Sequence, residues 1–234
     1  MKIPGRNPWK RLPSGPLIAP SLLACDLAWV GEQIDEAIAA GADVLHVDVM
    51  DAHFVPNLSM GPAFVASIRK YTDHPIDVHL MVTDPAYHVE QFAEAGADSI
   101  TFHIEAADQP HRLIDRLHEL GLGAGVTLKP ATPAGAIARV AGAIDIALVM
   151  TVEPGYSGQE FLPGMLDKIA AVRRMLREEQ RLEVDGGITP GTGSECAGRG
   201  ADVFVAGADI FDSGDIAEAV HHLKVATKGP DALG

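Results

Sequence analysis

Residues 17–50 read LIAPSLLACDLAWVGEQIDEAIAAGADVLHVDVM, and this stretch contains the pattern that decides the fold. It opens with a short apolar run at 17–21, which is typical of a buried strand. A segment with helical periodicity follows at 27–40, and a second strand is predicted at 43–49. A strand, a helix and a strand in this order indicate two parallel strands joined by a crossover helix.

The same alternation continues along the chain. Further strands are predicted at 76–80, 99–103, 123–128, 146–151, 182–185 and 203–206, and further helices at 63–71, 86–95, 111–120 and 165–179. Short strands that are apolar on both faces and alternate with helices form parallel sheets covered by helices. Eight such units predict an α/β fold, a single (β/α)8 TIM barrel around a parallel eight-stranded core, with a doubly wound open sheet as the alternative.

The domain boundaries are predicted from the same pattern. We expect an irregular N-terminal arm at 1–15, a barrel at 16–229 and a frayed tail at 230–234. Gly-Ala-Asp recurs at 41–43, 96–98 and 200–202, each time between a helix and a strand. The tripeptide indicates either a weak internal repeat or local turn chemistry, since glycine commonly ends a helix.

Composition excludes several classes of protein. The 234 residues include 18 Lys and Arg against 32 Asp and Glu, a net charge of −14. Such a surface repels phosphate backbones, so we expect no nucleic-acid partner. Two cysteines are too few for a disulfide framework, and no apolar run suits a membrane span or a secretory signal. We therefore expect a cytoplasmic protein without a membrane partner.

Polar side chains occupy the predicted ends of three strands. His46 and Asp48 share one face of the second strand, His79 lies near the end of the third, and Asp185 ends the seventh. Active sites of (β/α)8 barrels lie at the carboxyl ends of the strands. Two imidazoles and two carboxylates gathered there suit a metal ion with nitrogen and oxygen ligands. A single strand-end histidine, by contrast, is more commonly a hydrogen-bonded core or rim residue.

Three glycine-bearing loops follow the last three predicted strands. Their residues are Gly155, Tyr156, Ser157 and Gly158 after the sixth strand, Gly186 and Gly187 after the seventh, and Gly207 and Ala208 after the eighth. Glycine lets backbone N–H groups approach an anion, and loops after strands seven and eight commonly bind phosphate in these barrels. Each glycine pair alone is equally explained by a turn. Together they predict a phosphate held by backbone amides rather than by Lys or Arg.

Six segments between about residues 18 and 211 resemble the ribulose-phosphate 3-epimerase family. They are APSLLACD (19–26), HVDVMDAHFVPN (46–57), DVHLMV (77–82), AGADSITFHIEA (95–106), LVMTVEPGYSGQEF (148–161) and VDGGI (184–188). The resemblance implies inversion of C3 of D-ribulose 5-phosphate to give D-xylulose 5-phosphate through an ene-diolate, as in the pentose phosphate pathway and the Calvin cycle. A 3-epimerase of a hexulose 6-phosphate, such as allulose 6-phosphate, is the alternative within this chemistry. A metal-dependent hydrolase and a non-catalytic sugar-phosphate-binding barrel are the alternatives outside it.

The resemblance also implies roles for individual residues. Asp48 is expected to be the base and Asp185 the acid in the forward direction, and both would bind one divalent metal ion (Zn, Fe, Mn or Co) together with His46 and His79. The side chains expected to contact the sugar phosphate are Ser21, His79 and Asp185. The three glycine loops would line its phosphate end. Relatives in the family form dimers or larger assemblies, so a homo-oligomer is expected.

Three positions depart from the pattern of the family. Ala52 stands where a glycine is usual, which narrows the loop after the second strand or is neutral if φ is negative there. Lys129 stands where an asparagine is usual and extends either toward the sugar or to the rim. Ala208 stands where a serine is usual and removes a hydroxyl from the phosphate end. These departures bear on substrate choice and KM rather than on the class of reaction.

Overall fold

Eight parallel strands form the centre of the structure, a computed structural model that describes residues 6–228. The strands are β1 (Leu17–Pro20), β2 (Leu45–Met50), β3 (Ile76–Met81), β4 (Ser99–His103), β5 (Gly123–Leu128), β6 (Ile146–Met150), β7 (Arg181–Asp185) and β8 (Val203–Ala206). They pair in the order β1-β8-β7-β6-β5-β4-β3-β2, and a bridge between Ser21 and His46 connects the two ends. The predicted (β/α)8 barrel is confirmed, and the open sheet is wrong because the sheet curls until its edge strands meet.

Helices surround this barrel. They are α1 (Val30–Ala39), α2 (Pro62–Tyr71), α3 (Pro85–Ala95), α4 (Pro110–Glu119), α5 (Met165–Arg173), α6 (Pro190–Ala197), α7 (Ala208–Phe211) and α8 (Ile216–Ala226). Four of them begin at a proline, whose fixed φ suits the first helical turn and whose missing N–H is not needed there. The first helix was expected from residue 27, but Asp26 accepts a hydrogen bond from the Ala28 amide at 2.9 Å and holds a turn before it.

The connection between β5 and β6 differs from the expected pattern. It contains a 3-10 turn, Ala134–Ile137, instead of an α-helix. Pro130 and Pro133 disfavour helical backbone at the residues before them, and Gly135 weakens helix formation further. Each of the other six connections between strands contains one α-helix, and two α-helices follow β8.

Four aspartates bind neighbouring strands together at the amino-terminal end of the barrel. Each precedes an even-numbered strand and accepts a hydrogen bond from the backbone N–H of the preceding strand, at 2.9, 2.9, 3.0 and 2.7 Å for Asp43, Asp98, Asp145 and Asp202. A basic side chain also lies against each carboxylate, namely Lys224, Arg69, His118 and Arg181. The Gly-Ala-Asp tripeptide therefore marks a structural repeat, in whose fourth member Ile144 separates Gly142-Ala143 from Asp145.

The described part of the N-terminal arm covers the bottom of the barrel. Pro8–Lys10 forms a 3-10 turn, and the indole Nε1 of Trp9 donates to Ser99 Oγ at 2.7 Å. A Cβ at Gly123 would lie 2.6 Å from the Trp9 ring, so glycine is needed for this contact. Residues 1–5 and the predicted tail at 230–234 lie outside the described residues.

Both cysteines of the chain are buried and free. Burial raises the pKa of the Cys25 thiol to about 12, and burial together with Glu195 does the same for Cys196. Within residues 6–228, no helix combines the length and the apolar character that a membrane crossing requires.

Candidate active site

The four residues predicted to bind metal meet at the carboxyl ends of β2, β3 and β7. One ligand atom from each of His46, Asp48, His79 and Asp185 lies within 4.8 Å of the others. His79 Nδ1 is 3.1 Å from Asp48 Oδ1 and 3.8 Å from Asp185 Oδ2, and His46 Nε2 is 3.4 Å from Asp48 Oδ1. The register explains the arrangement, because Asp48 pairs directly with His79 across the ladder of β2 and β3.

The ring nitrogens of His46 test whether a metal ion fits this cluster. His46 is fully buried, and neither nitrogen makes a well-aligned hydrogen bond to another residue within 6–228. Buried polar atoms without partners are costly, and their presence in a native structure calls for an explanation. A cation between His46 Nε2, His79 Nδ1 and the two carboxylates would supply the missing partner, and this donor set accepts several divalent ions. The cluster can therefore hold a metal ion.

Two further carboxylates lie beneath His46. Its Nδ1 is 3.1 Å from Asp77 Oδ2 and 3.6 Å from Glu183 Oε1, and all three side chains are fully buried. Burial and the nearby charge of Asp77 raise the pKa of Glu183 to about 7. Alternation along β3 puts Asp77 on the same strand face as His79, but neither Asp77 nor Glu183 was singled out from the sequence. The available signal for Glu183 was its position two residues before Asp185, hence on the same face of β7.

The two aspartates of the cluster have opposite electrostatic surroundings. Burial alone would raise the pKa of Asp48, but the charge and hydrogen bonds of His46 and His79 outweigh it and hold that pKa far below its usual range. Ser21 Oγ also donates to Asp48 Oδ2 at 2.6 Å. Burial, reinforced by the charge of Asp48, raises the pKa of Asp185 well above its usual range. Environments that push two carboxyl pKa values apart are arranged for one base and one acid.

A cavity of about 240 Å³ opens above the two aspartates. Its lining includes the predicted residues Ser21, Asp48, Gly155, Tyr156, Ser157, Gly158, Asp185, Gly186, Gly187, Gly207 and Ala208, and also Met50, Met81 and Met150. The imidazoles of His46 and His79 lie below this lining, against the carboxylates. The structure thus brings the two aspartates of the predicted metal cluster and the predicted phosphate loops to one cavity, whereas His79, expected to contact the sugar phosphate, is not part of its lining.

The glycine loops have backbone shapes that only glycine adopts easily. Gly186 and Gly187 have φ values of 115° and 64°, in the left-handed region. A Cβ at Gly187 would lie 2.6 Å from the backbone nitrogen of Phe161, so the loop after β7 passes too close to its neighbour for any side chain. Glycine at this position therefore brings two loops into contact beside the cavity.

The three departures from the family pattern have distinct positions. Ala52 has φ of 59°, so the neutral interpretation, which needed a negative φ, is wrong. Lys129 lies at the rim, with its Nζ 3.7 Å from the Phe54 ring centroid and 3.3 Å from the Phe54 carbonyl, and it does not line the cavity. Ala208 lines the cavity at the start of α7 and brings no hydroxyl to it.

One histidine that lies beside the cluster was not identified from the sequence. His103 ends β4, and its Nε2 lies 3.0 Å from His79 Nε2, while its Nδ1 lies 3.3 Å from Glu105 Oε2. Burial lowers the pKa of His103 to about 4. The signal was a histidine at the end of a predicted strand, which is the same position that drew attention to His79.

The fold and the site together define a (β/α)8-barrel enzyme with a cavity, two carboxyl groups in opposite electrostatic surroundings and a candidate metal centre at the carboxyl ends of its strands. A profile of the ribulose-phosphate 3 epimerase family matches residues 17–211. The chain belongs to this family.

Curated relatives agree with this assignment. The chain is 47% identical over 212 residues to ribulose-phosphate 3-epimerase of Escherichia coli (strain K12), covering 89% of this chain and 94% of the relative. It is 41% identical over 211 residues to ribulose-phosphate 3-epimerase of Bacillus subtilis (strain 168), covering 88% of this chain and 97% of the relative. It is also 41% identical over 222 residues to the chloroplastic ribulose-5-phosphate-3-epimerase of Arabidopsis thaliana, covering 93% of this chain and 79% of the relative.

Solved structures of other enzymes share the fold. One is 3-keto-L-gulonate-6-phosphate decarboxylase from Vibrio cholerae, with a TM-score of 0.71 at 20% identity over 92% of this chain and 98% of that chain. Another is 3-hexulose-6-phosphate synthase from Salmonella typhimurium, with a TM-score of 0.68 at 18% identity over 90% of this chain and 98% of that chain. Identities this low support the fold alone.

Proposed function

We propose that this protein inverts C3 of D-ribulose 5-phosphate to give D-xylulose 5-phosphate in a metal-dependent reaction. The observation that carries the proposal is the pair Asp48 and Asp185, which share one cavity while their surroundings push their pKa values in opposite directions. Inversion at a carbon requires a proton to leave one face and another to arrive at the opposite face. Two carboxyl groups on strands nearly across a barrel suit that requirement.

The proton at C3 is acidic because the neighbouring C2 is a ketone. Asp48, whose carboxylate form is favoured, removes that proton and leaves an ene-diolate. Asp185 would return a proton to C3 from the other face, a role that the raised pKa of its buried carboxyl supports, and the roles exchange in the reverse direction. The hydroxyl of Ser21 donates to Asp48 Oδ2 and so holds this carboxylate in one orientation.

Four side chains would hold the metal ion, namely His46, Asp48, His79 and Asp185. When bound, a divalent cation acts as a Lewis acid that stabilises negative charge on the substrate oxygens. Zn, Fe, Mn and Co all accept two imidazole and two carboxylate ligands, and availability commonly decides among them.

The phosphate group of the sugar would lie against the loops after β6, β7 and β8. The three loops border the same cavity as the aspartates, and the left-handed glycines bring backbone close to it without side chains. Backbone N–H groups bind phosphate without a net positive charge on the protein. This matches a chain with a net charge of −14.

The reaction is tested by incorporation of solvent deuterium at C3 of D-ribulose 5-phosphate, with metal-loaded protein in D2O. Exchange at C3 is expected to accompany formation of D-xylulose 5-phosphate. A protein that binds metal and is folded but catalyses no exchange would refute the proposal. A kcat/KM higher for allulose 6-phosphate than for D-ribulose 5-phosphate would instead assign the hexulose alternative.

The acid is tested with Asp185→Asn, because an amide cannot deliver the proton. Turnover is expected to fall by about 10²- to 10⁴-fold, while circular dichroism and unfolding remain close to those of the wild type. The control is Asp212→Asn, which makes the same chemical change at an exposed aspartate after α7 and should leave turnover unchanged. Full activity in Asp185→Asn would contradict the proposed role.

Assembly and location stay predictions from the sequence. A homo-oligomer is consistent with exposed apolar side chains on the loops after β1 and β2, where Leu27, Trp29 and Leu58 are 59%, 58% and 73% exposed. Sedimentation of the purified protein measures the mass of the assembly. Fractionation of the source cells tests the expected cytoplasmic location.

A further inference from the structure

We propose that Glu105, acting through His103, fixes the proton of His79 on Nε2 and so leaves Nδ1 of His79 free to bind the metal ion. The inference deepens the proposed function and rests on its metal site. Glu105 and His103 would be positioning residues, because neither lies among the metal-ligand atoms or lines the cavity.

The groups involved form one row. Glu105 Oε2 lies 3.3 Å from His103 Nδ1, His103 Nε2 lies 3.0 Å from His79 Nε2, and His79 Nδ1 lies 3.1 Å from Asp48 Oδ1. The two rings are 5.1 Å apart between centroids and tilted by only 27°. Both imidazoles are fully buried, so their nitrogens must find partners within the row.

A carboxylate stands at each end of the row, Glu105 and Asp48, so two neutral imidazoles have a proton for only one end. A metal ion at the Asp48 end would leave that proton to Glu105 and so give the direction of each hydrogen bond. A neutral imidazole carries one N–H and one acceptor nitrogen, and a carboxylate only accepts. Glu105 therefore requires the proton of His103 on Nδ1, which leaves His103 Nε2 as an acceptor. That acceptor requires the proton of His79 on Nε2. The lone pair of His79 Nδ1 is then directed at Asp48 and Asp185, where a metal ion would take the place of the missing proton.

The environment of Glu105 is suited to a fixed, ionised carboxylate. Its Oε1 accepts from the backbone N–H of Lys129 at 2.8 Å and from the hydroxyl of Thr132, so Oε2 is the oxygen that faces His103. Partial burial opposes ionisation, but the hydrogen bonds from His103, Thr132 and Lys129 outweigh it and lower the pKa of Glu105 to about 2. The Phe54 ring covers His103 at 4.6 Å between centroids.

The same contacts predict what Glu105→Gln does. The N–H of Lys129 still requires an acceptor, which assigns the carbonyl oxygen of the new amide to that side. The NH2 group then faces His103 Nδ1 and reverses both hydrogen bonds of the row. His79 would carry its proton on Nδ1, the atom that the metal ion requires.

The experiment measures Zn²⁺ affinity by competition with a chromophoric chelator and the histidine protons by long-range ¹H–¹⁵N NMR. In the Zn²⁺-loaded wild type, His103 is expected to be protonated on Nδ1 and His79 on Nε2. Glu105→Gln is expected to lower Zn²⁺ affinity by about 10- to 100-fold, the usual effect of losing a partner of a metal-binding histidine. The matched control is Glu94→Gln, which makes the same chemical change at an exposed glutamate on α3 and should leave the affinity within about twofold.

Each outcome separates this inference from the proposed function. Zn²⁺ binding by the wild type with His103 protonated on Nε2 would overturn the inference and leave the metal site standing. Equal affinities in the wild type and Glu105→Gln, or an equal loss in Glu94→Gln, would also overturn it, because the effect would then not depend on the row. A wild type that binds no divalent ion would refute the metal site itself.

Discussion

Ala52 is a residue with a strained backbone. Its φ of 59° lies in the left-handed region, where the Cβ of an L-residue meets the following carbonyl oxygen. Ala52 lies in a turn at the start of a loop, which its amide closes by donating to Asn57 O at 2.8 Å. A glycine would adopt the same turn without this steric cost.

Ala52→Gly is therefore expected to raise the free energy of unfolding by about 0.5–1 kcal/mol, after allowance for the extra freedom of glycine in the unfolded chain. Urea denaturation measures the change. The control is Ala63→Gly on the exposed face of α2, which should lower the free energy of unfolding by a similar amount because a helix disfavours glycine. Destabilisation by Ala52→Gly would show that the turn does not hold alanine under strain.

Strand periodicity predicted much of the candidate site. Because side chains alternate along a strand, His46 and Asp48 were expected on one inward face, and their position follows from local sequence alone. Glu183 and His103 were harder to recognise, since their importance comes from what they meet across the barrel. The contact of His103 with His79 depends on the register of β3 and β4, which no short sequence pattern specifies.

At the scale of elements, the loop after β7 depends on a close contact between two backbones. Gly187→Ala would put a Cβ 2.6 Å from the backbone nitrogen of Phe161, which cannot move aside as a flexible side chain can. Gly158 has a similar φ of 74° but has open space around its Cβ position. Alanine substitutions at the two glycines therefore distinguish the effect of a steric clash from the effect of backbone strain.

We expect Gly187→Ala to raise the KM for the sugar phosphate by at least about tenfold, because a misplacement of about 1 Å can cost two orders of magnitude in activity. Gly158→Ala should have a clearly smaller effect, since it carries the backbone strain without the clash. Steady-state kinetics of both variants give the comparison. Equal effects would mean that backbone strain, and not the approach to Phe161, explains the glycine at 187.

The four aspartates at the barrel bottom also act at the scale of elements. Asp145 accepts from the Ala124 amide and contacts Lys10 and His118, so one carboxylate joins two strands, the arm and α4. Burial opposes its ionisation, but His118 and the Ala124 amide outweigh burial and lower its pKa to about 2. An aspartate in an unfolded chain has a pKa of about 3.9.

This difference predicts how stability depends on pH. Because the folded pKa lies below the unfolded one, the contribution of Asp145 is present above about pH 4 and is lost as the pH falls toward 2. Asp145→Asn should lower the free energy of unfolding by about 1–2 kcal/mol at pH 6, and the gap to the wild type should shrink toward pH 2. Asp167→Asn, at an exposed aspartate on α5, should show no such dependence. A gap that is constant with pH would contradict this account.

The element pattern was predictable where the chain repeats itself. Gly-Ala-Asp marked three of the four strand-binding aspartates, because only one alanine separates the glycine after a helix from the aspartate before the next strand. At the fourth site Ile144 is inserted, so the sequence reads Gly142-Ala143-Ile144-Asp145, and the equivalence of Asp145 emerges only from its bond to Ala124. The 3-10 turn between β5 and β6 also departs from the repeat. The repeating pattern predicts an α-helix in that connection, but the barrel closes without one.

At the scale of the whole molecule, the proposed metal cluster connects strands that are far apart in sequence. Its ligands come from β2, β3 and β7, so an ion bound there stabilises the closed barrel and not the unfolded chain. A ligand present at a hundred times its Kd adds about 2.7 kcal/mol to the free energy of unfolding. For a protein of this length we expect Tm to rise by about 5–10 °C on addition of Zn²⁺.

Differential scanning fluorimetry with and without Zn²⁺ measures this shift, and His79→Ala is the comparison because it removes one ligand. The shift should be small in that variant. An equal shift in both proteins would mean that Zn²⁺ binds elsewhere on the acidic surface.

The burial of both thiols has a practical consequence for labelling. Cys25 and Cys196 each have a thiol pKa near 12 and lie inside the fold, so maleimide reagents at neutral pH should leave the native chain unmodified. A cysteine introduced at Tyr156, which is 56% exposed on the loop after β6, would then be the single reactive thiol. A fluorophore attached there would report on that loop without removal of either native cysteine.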